Sequence, residues 1–238
     1  MPDCEGDVLQ VRDLHFAYPD RHFALRGVSL KLCESDKAAL VRPNGAGKST
    51  LMLYLNGIFE GRGEVEVGGR RLTRANLPVI RSMVGIVFQN PDDQLFSPTV
   101  FEDVTFGPLH MGLPEDKVPA RVTEALEAMR MSAIAYADRL SHHLSMGEKK
   151  HIAIATVLSM RPSLLILDEP SAGLDPRASR TLIRLLRDLP ITMLVSTHDM
   201  ALVRRTIVMD EGQIVADGLT MNILENEPLL KAHGVEKA

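Results

Sequence analysis

Cysteine is almost missing from this sequence: Cys4 and Cys33 are the only two in 238 residues. Neither stands in a C-x-x-C spacing, which excludes a zinc ribbon, and two cysteines are too few for a disulfide-dense scaffold. Two free thiols in a reducing cytosol are the expectation. Long apolar runs are missing too. Nothing approaches the ~18 consecutive apolar residues that cross a bilayer, so any membrane role must come through a partner. Met1 to Asp7 is acidic and has no apolar stretch, so no secretion signal is expected there. Positive charge is not in surplus either. Lys and Arg number 27 against 31 Asp and Glu, a net charge of −4. That balance argues against bulk attraction to nucleic acid, and no nucleic-acid partner is expected. Solenoid periods and low-complexity segments are likewise missing.

What remains is the composition of a globular protein, with 45% apolar and 24% charged residues. Val8 to Phe16 and Val28 to Leu32 read as early strands, the second by alternation of Val28, Leu30 and Leu32 with Ser29 and Lys31. Gly63 to Val67 and Arg70 to Leu72 read as a hairpin turned by Gly68-Gly69. These pieces suit an antiparallel β layer. Ala38 to Val41, Leu164 to Leu167 and Ile191 to Val195 do not alternate, as expected of parallel strands covered on both faces, and Met83 to Phe88 joins them. Between about residues 90 and 160 strand signals stop, and Pro114 to Met131 and Gly147 to Met160 read as helices. A further helix starts after Leu174, with Asp175 as its cap and Pro176 at its first position. The tail from about residue 219 to 238 reads as one helix and a frayed end. The expectation is an α/β protein with a parallel core, an N-terminal antiparallel layer and a helical insertion.

Asn44-Gly45-Ala46-Gly47-Lys48-Ser49-Thr50 follows a buried strand and opens a helix, the context that a phosphate-binding loop requires. Glycines let backbone N–H groups converge on phosphate oxygens, and the helix N-terminus adds partial positive charge. Lys48 is placed to reach the β- and γ-phosphates of ATP and Ser49 to ligate Mg²⁺. Leu164 to Glu169 is a buried strand that ends in two carboxylates, at the sheet edge where open α/β folds bind ligands. Asp168 can hold Mg²⁺ through water, and Glu169 can orient the attacking water. One position breaks the pattern: Arg42 stands where a phosphate loop has glycine. Because Pro43 follows, Arg42 is expected to be extended, with its side chain leaving the loop. His142-His143 reads as a solvated loop, since adjacent residues converge poorly on one ion and no third ligand is near. The 12 methionines read as core filling.

From Val8 to Gly218 the chain resembles the nucleotide-binding subunits of ABC transporters, on an ordered set of motifs. The resemblance implies a P-loop NTPase fold with a RecA-like parallel core, in one ATP-binding domain over residues 1–238. It gives Tyr18 the adenine-stacking position. Gln89 matches the glutamine loop, which contacts Mg²⁺, water and a transmembrane partner. Leu144-Ser145-Met146-Gly147-Glu148 is similar to the LSGGQ signature, with Met146 and Glu148 as departures; Ser171 to Asp175 looks like the loop crossing the dimer interface. His198 matches the switch histidine near the γ-phosphate, and His151 stands where the family has arginine. Ser145 and the Gly147 amide precede a helix and so form a second anion site. A head-to-tail homodimer, or a heterodimer with a similar ATPase, would bring that site to the partner's ATP.

Val87 to Phe96, Glu102-Asp103-Val104 and Phe106-Gly107-Pro108 resemble the ATPases of energy-coupling-factor importers. Leu109 to Leu113 is most similar to their cobalt and nickel group. The resemblance implies a peripheral protein on the cytoplasmic side of the cell membrane, bound to an integral membrane coupling protein and a substrate-binding membrane component. Importers of vitamins share this pattern. A soluble ATPase acting on nucleic acid or in cluster assembly, and a regulatory subunit impaired by Arg42, are the alternatives from other classes.

Overall fold

The computed structural model describes residues 6–41, 47–197 and 203–234. The strands form two sheets, the first from the N-terminal part of the chain. Strands β1 (Asp7–Ala17), β2 (Phe23–Cys33), β4 (Arg62–Val67) and β5 (Arg70–Arg71) make an antiparallel sheet in the order β2-β1-β4-β5. Its hairpin turns on Gly68 (φ 51°) and Gly69 (φ 72°), where consecutive positive φ values match the right-handed twist of the strands.

The second sheet has the order β10-β9-β3-β8-β7-β6, built from β3 (Lys37–Val41), β6 (Val84–Val87), β7 (Leu164–Asp168), β8 (Thr192–Ser196), β9 (Arg205–Asp210) and β10 (Gln213–Leu219). The pairs β3·β8, β3·β9, β6·β7 and β7·β8 are parallel; only β9·β10 is antiparallel. The continuous apolar runs are explained by cover on both faces. Ala38 and Leu40 of β3, with Leu164 and Ile166 of β7, pack toward the antiparallel layer and helix α1 (Lys48–Leu55). Their neighbours Ala39, Val41, Leu165 and Leu167 pack in the opposite core with the helices. Strands β9 and β10 had no counterpart in the sequence reading. Half of β10 is only partly buried, which blurs its period.

After α2 (Leu77–Met83) and β6, the helices α3 (Val100–His110), α4 (Val118–Ala128), α5 (Ala133–Tyr136) and α6 (Met146–Leu158) follow in succession. Helix α3 went unread because Gly107-Pro108 looks like a breaker; Pro108 is buried inside it, and a full capping box between Thr99 and Glu102 starts it. Helix α7 (Pro176–Asp188) begins as expected, with Asp175 accepting from the backbone N–H groups of Arg177 and Ala178. The C-terminal segment holds two short helices rather than one, α8 (Thr220–Glu225) and α9 (Glu227–Ala232). Asn226 ends the first and its side chain caps the second, next to Pro228. Cys33 is disulfide-bonded, which corrects the expectation of two free thiols; a cysteine count and spacing do not tell whether a thiol is paired. The other cysteine, Cys4, lies outside the described residues.

Candidate functional site

The carboxyl ends of β3, β6, β7 and β8 share one edge of the parallel sheet. Each expected chemical group that the structure describes on this core follows one of those ends. Arg42, Asn44, Gly45, Ala46 and His198 lie outside the described residues.

Gly47 caps helix α1 at φ 96°, a left-handed conformation that side chains strain to adopt. A Cβ there would sit 2.3 Å from the carbonyl oxygen of Ala24 on β2, so the backbone approaches closely only because the residue is glycine. Lys48 opens the helix and is only 7% exposed. Its ammonium lies 3.5 Å from the Glu169 carboxylate. Next to it the Ser49 hydroxyl donates to Asp168, Oγ to Oδ2, at 3.3 Å. Two strand ends far apart in sequence thus place a cation, a hydroxyl and two carboxylates together.

Glu169 has φ 43°, a left-handed conformation that costs a non-glycine residue about 1–2 kcal/mol. The surroundings hold it there: its N–H donates to the Ser196 carbonyl at 2.9 Å, and its own carbonyl accepts from Ala172 at 3.0 Å and from the Lys150 ammonium at 3.3 Å. Strain of this kind persists where neighbours over-determine it. Ser196 pairs in register with Asp168, and its buried hydroxyl has no hydrogen-bond partner among the described residues. A buried polar atom without a partner at a carboxylate-lined edge fits a site that takes up a polar ligand or water.

Gln89 follows β6 and is exposed, and its carbonyl accepts from Lys150 at 2.9 Å. The sequence reading missed Lys150. A lysine inside a helix signals nothing on its own, yet this one is 4% exposed, and burial draws its pKa down while the Glu169 carboxylate draws it up.

Tyr18 is half-buried, and its hydroxyl hydrogen-bonds to Thr50 at 2.9 Å. Its ring stands edge-on to Phe16 and Phe59, so the expected adenine position is one corner of an aromatic cluster. Ser145, Gly147 and Asp175 make a second group. Ser145 caps α6 in a capping box with Glu148, and Gly147 lies in the first turn near Leu174. Glu148 accepts from the Ser145 amide and hydroxyl, from Tyr136 and from Arg139. These bonds, the Ser145 amide first, hold its carboxyl down at about 2. Both carboxylate oxygens of Glu148 are used as acceptors, and the Arg139 guanidinium balances its charge. His151 Nδ1 donates to the Met129 carbonyl, which ends α4, so the departure from arginine still ties α6 to α4.

A nucleotide with Mg²⁺ suits these residues: a glycine-dependent helix start, a buried cation behind it, and a hydroxyl beside a carboxylate. Known proteins agree. The ABC transporter family model matches residues 25–172, more than half of the chain. An ABC transporter ATP-binding protein of Gloeobacter violaceus is 52% identical over 96% of both chains. An energy-coupling factor transporter ATP-binding protein of Methanothermobacter thermautotrophicus is 47% identical, over 94% of this chain and 75% of its own length. Among solved structures, CbiO1 of Clostridium perfringens, described as part of the ABC transporter complex CbiONQ, superposes with a TM-score of 0.84. It is 36% identical over 96% of this chain and 94% of its own. The family model over more than half of the chain, with relatives this similar over nearly its whole length, places the protein in the ABC transporter family as an ATP-hydrolysing subunit that binds ATP with Mg²⁺.

Proposed function

We propose that the chain powers an energy-coupling-factor importer from the cytoplasmic face of the membrane, with cobalt or nickel ions as the cargo. In this reading Lys48, with the loop Asn44 to Thr50, cradles the phosphates of ATP. Ser49, Asp168 and Gln89 hold Mg²⁺, which neutralises phosphate charge when bound. Glu169 orients and polarises the attacking water, His198 contacts the γ-phosphate, and Tyr18 faces the adenine. Ser145 and Gly147 offer their helix start to the ATP of a second subunit, with Asp175 at the junction, in a head-to-tail dimer. ATP favours that closed dimer and its hydrolysis releases it.

The observation that carries the importer reading is an exposed aromatic cluster in the segment that follows Gln89. Phe96 is 68% exposed and stands edge-on to Phe106, which stacks on His110. Phe88, before this cluster in the chain, and Leu109 and Met111, on either side of His110, are also exposed. An apolar surface rimmed by polar residues suits a protein partner, and no described helix is long and apolar enough to cross a membrane itself. This supports an integral membrane coupling protein as the occupant. The metal reading is supported by the likeness of Leu109 to Leu113 to the cobalt and nickel group and by the similarity to CbiO1. The test is reconstitution in liposomes with the membrane proteins that copurify with the chain. ATP-dependent uptake of Co²⁺ or Ni²⁺ is expected, lost on Phe96→Asp. Uptake of a vitamin with no metal uptake would contradict the cargo, and copurification with no membrane protein would contradict the importer.

A further inference from the structure

Helix α6 is fastened along its length to the loop that follows β6. Lys149 pairs with Asp92 at 2.6 Å. Gln94 donates to the Ala153 carbonyl at 2.7 Å and to the Thr156 hydroxyl at 2.8 Å, while its own side-chain oxygen accepts from the Phe88 amide at 3.2 Å. Between these ties lies Lys150, whose ammonium donates both to the Gln89 carbonyl (2.9 Å) and to the Glu169 carbonyl (3.3 Å). An ammonium carries three donors and no acceptor, so it bridges two carbonyls without rearrangement. The same helix starts at Ser145. One buried group therefore joins the Gln89 loop, the Ser145 helix and the residue after the strand-end aspartate.

We infer that Lys150 is a positioning residue for ATP hydrolysis: it fixes the backbone of Glu169 against the Gln89 loop, so that movement of that loop is felt at the catalytic carboxylate. The inference rests on reading Glu169 as the carboxylate that orients water. Lys150 donates to carbonyl oxygens at positions 89 and 169, and its charge also acts on the Glu169 carboxylate. Glu169 occupies a left-handed backbone conformation, which is where a removed support has most effect on side-chain direction. Displacing an orienting group by a fraction of its contact distance lowers turnover more than it lowers ground-state affinity.

The test is a set of variants of the purified chain, with steady-state ATPase kinetics and thermal melting measured for each. Lys150→Met keeps the length and removes the donors. It is expected to lower kcat about tenfold or more while KM for ATP stays within about threefold. Lys150→Gln restores two N–H donors and is expected to recover kcat to within about threefold of wild type. On a Glu169→Gln background, Lys150→Met is expected to add less than about a further twofold, because residues acting through one group are not additive. If Lys150→Met folds and keeps kcat within about twofold, the inference is overturned. It is also overturned if glutamine rescues melting but not kcat, or if the double variant loses another full factor of ten. Full activity in Glu169→Gln alone would overturn the reading of Glu169 beneath it, an outcome distinct from the others.

Discussion

Gly47→Ala puts one methyl group where the fold has no room. The backbone at Gly47 has φ 96°, and a left-handed residue with a Cβ costs about 1–2 kcal/mol. The new carbon would lie 2.3 Å from the Ala24 carbonyl oxygen, 3.1 Å from Met209 Cε and 3.3 Å from Leu25 Cδ2. The two side chains can give by a few tenths of an ångström. The carbonyl cannot move alone, because it belongs to β2, which is hydrogen-bonded to β1 next to it. Overpacking of this kind adds about 1–3 kcal/mol, so the whole cost is about 2–5 kcal/mol. For a chain of this size that is about 5–15 °C of melting temperature. If the start of α1 shifts to relieve the clash, Lys48 and Ser49 move with it and ATP affinity falls as well. Differential scanning fluorimetry with and without Mg-ATP reads both effects. A variant that melts within about 2 °C of wild type and is stabilised equally by Mg-ATP would refute the close approach at Gly47.

Lys48→Ala is expected to weaken ATP binding itself, by at least about tenfold in Kd from a charge-assisted contact worth roughly 1.5–3 kcal/mol, measured by titration with a fluorescent ATP analogue; unchanged affinity would remove Lys48 from the phosphate site. Glu148 carries a pH signature. Its carboxyl titrates at about 2 in the fold against 4.5 ordinarily, so the stability its bonds supply is complete above about pH 4.5 and drains as pH falls toward 2. Melting temperature measured from pH 6 down to 2.5 should therefore fall more steeply in wild type than in Glu148→Gln, and parallel curves would contradict the assignment.

Much of this architecture was legible because the physics was local. The parallel strands announced themselves through unbroken apolar runs, which arise when both faces are covered. Lys48, Ser49, Asp168 and Glu169 were singled out from adjacent residues in two short motifs, and the structure brings these four together. What was not legible depends on distant contacts. Helix α3 hides behind Gly107-Pro108, although Thr99 and Glu102 form a readable capping box. Gly107 is there because a Cβ would press on the Met160 side chain at 2.6 Å, a reason visible only after folding. Asp103 accepts from Phe96, Ser97 and Ser141 and so ties the start of α3 to the turn before α6; nothing in a Glu-Asp-Val run distinguishes that buried acid from a solvated one. Lys150 is the clearest case. It looks like its neighbour Lys149 in sequence, yet Lys149 pairs with the exposed Asp92 while Lys150 is buried and bonded to two backbone carbonyls.

The account stands or falls on Glu169. Purified Glu169→Gln keeps the shape of the side chain and removes the charge to which the proposed function gives the orienting of water, and a positioned general base contributes about 10²–10⁴-fold. The direct measurement is phosphate release in a single turnover with saturating Mg-ATP, alongside size-exclusion chromatography of the same sample. The expected result is ATP bound with near wild-type affinity, phosphate release slowed at least about a hundredfold, and a dimer that persists with ATP. Phosphate release within a few-fold of wild type would contradict the assignment of Glu169 as the catalytic carboxylate.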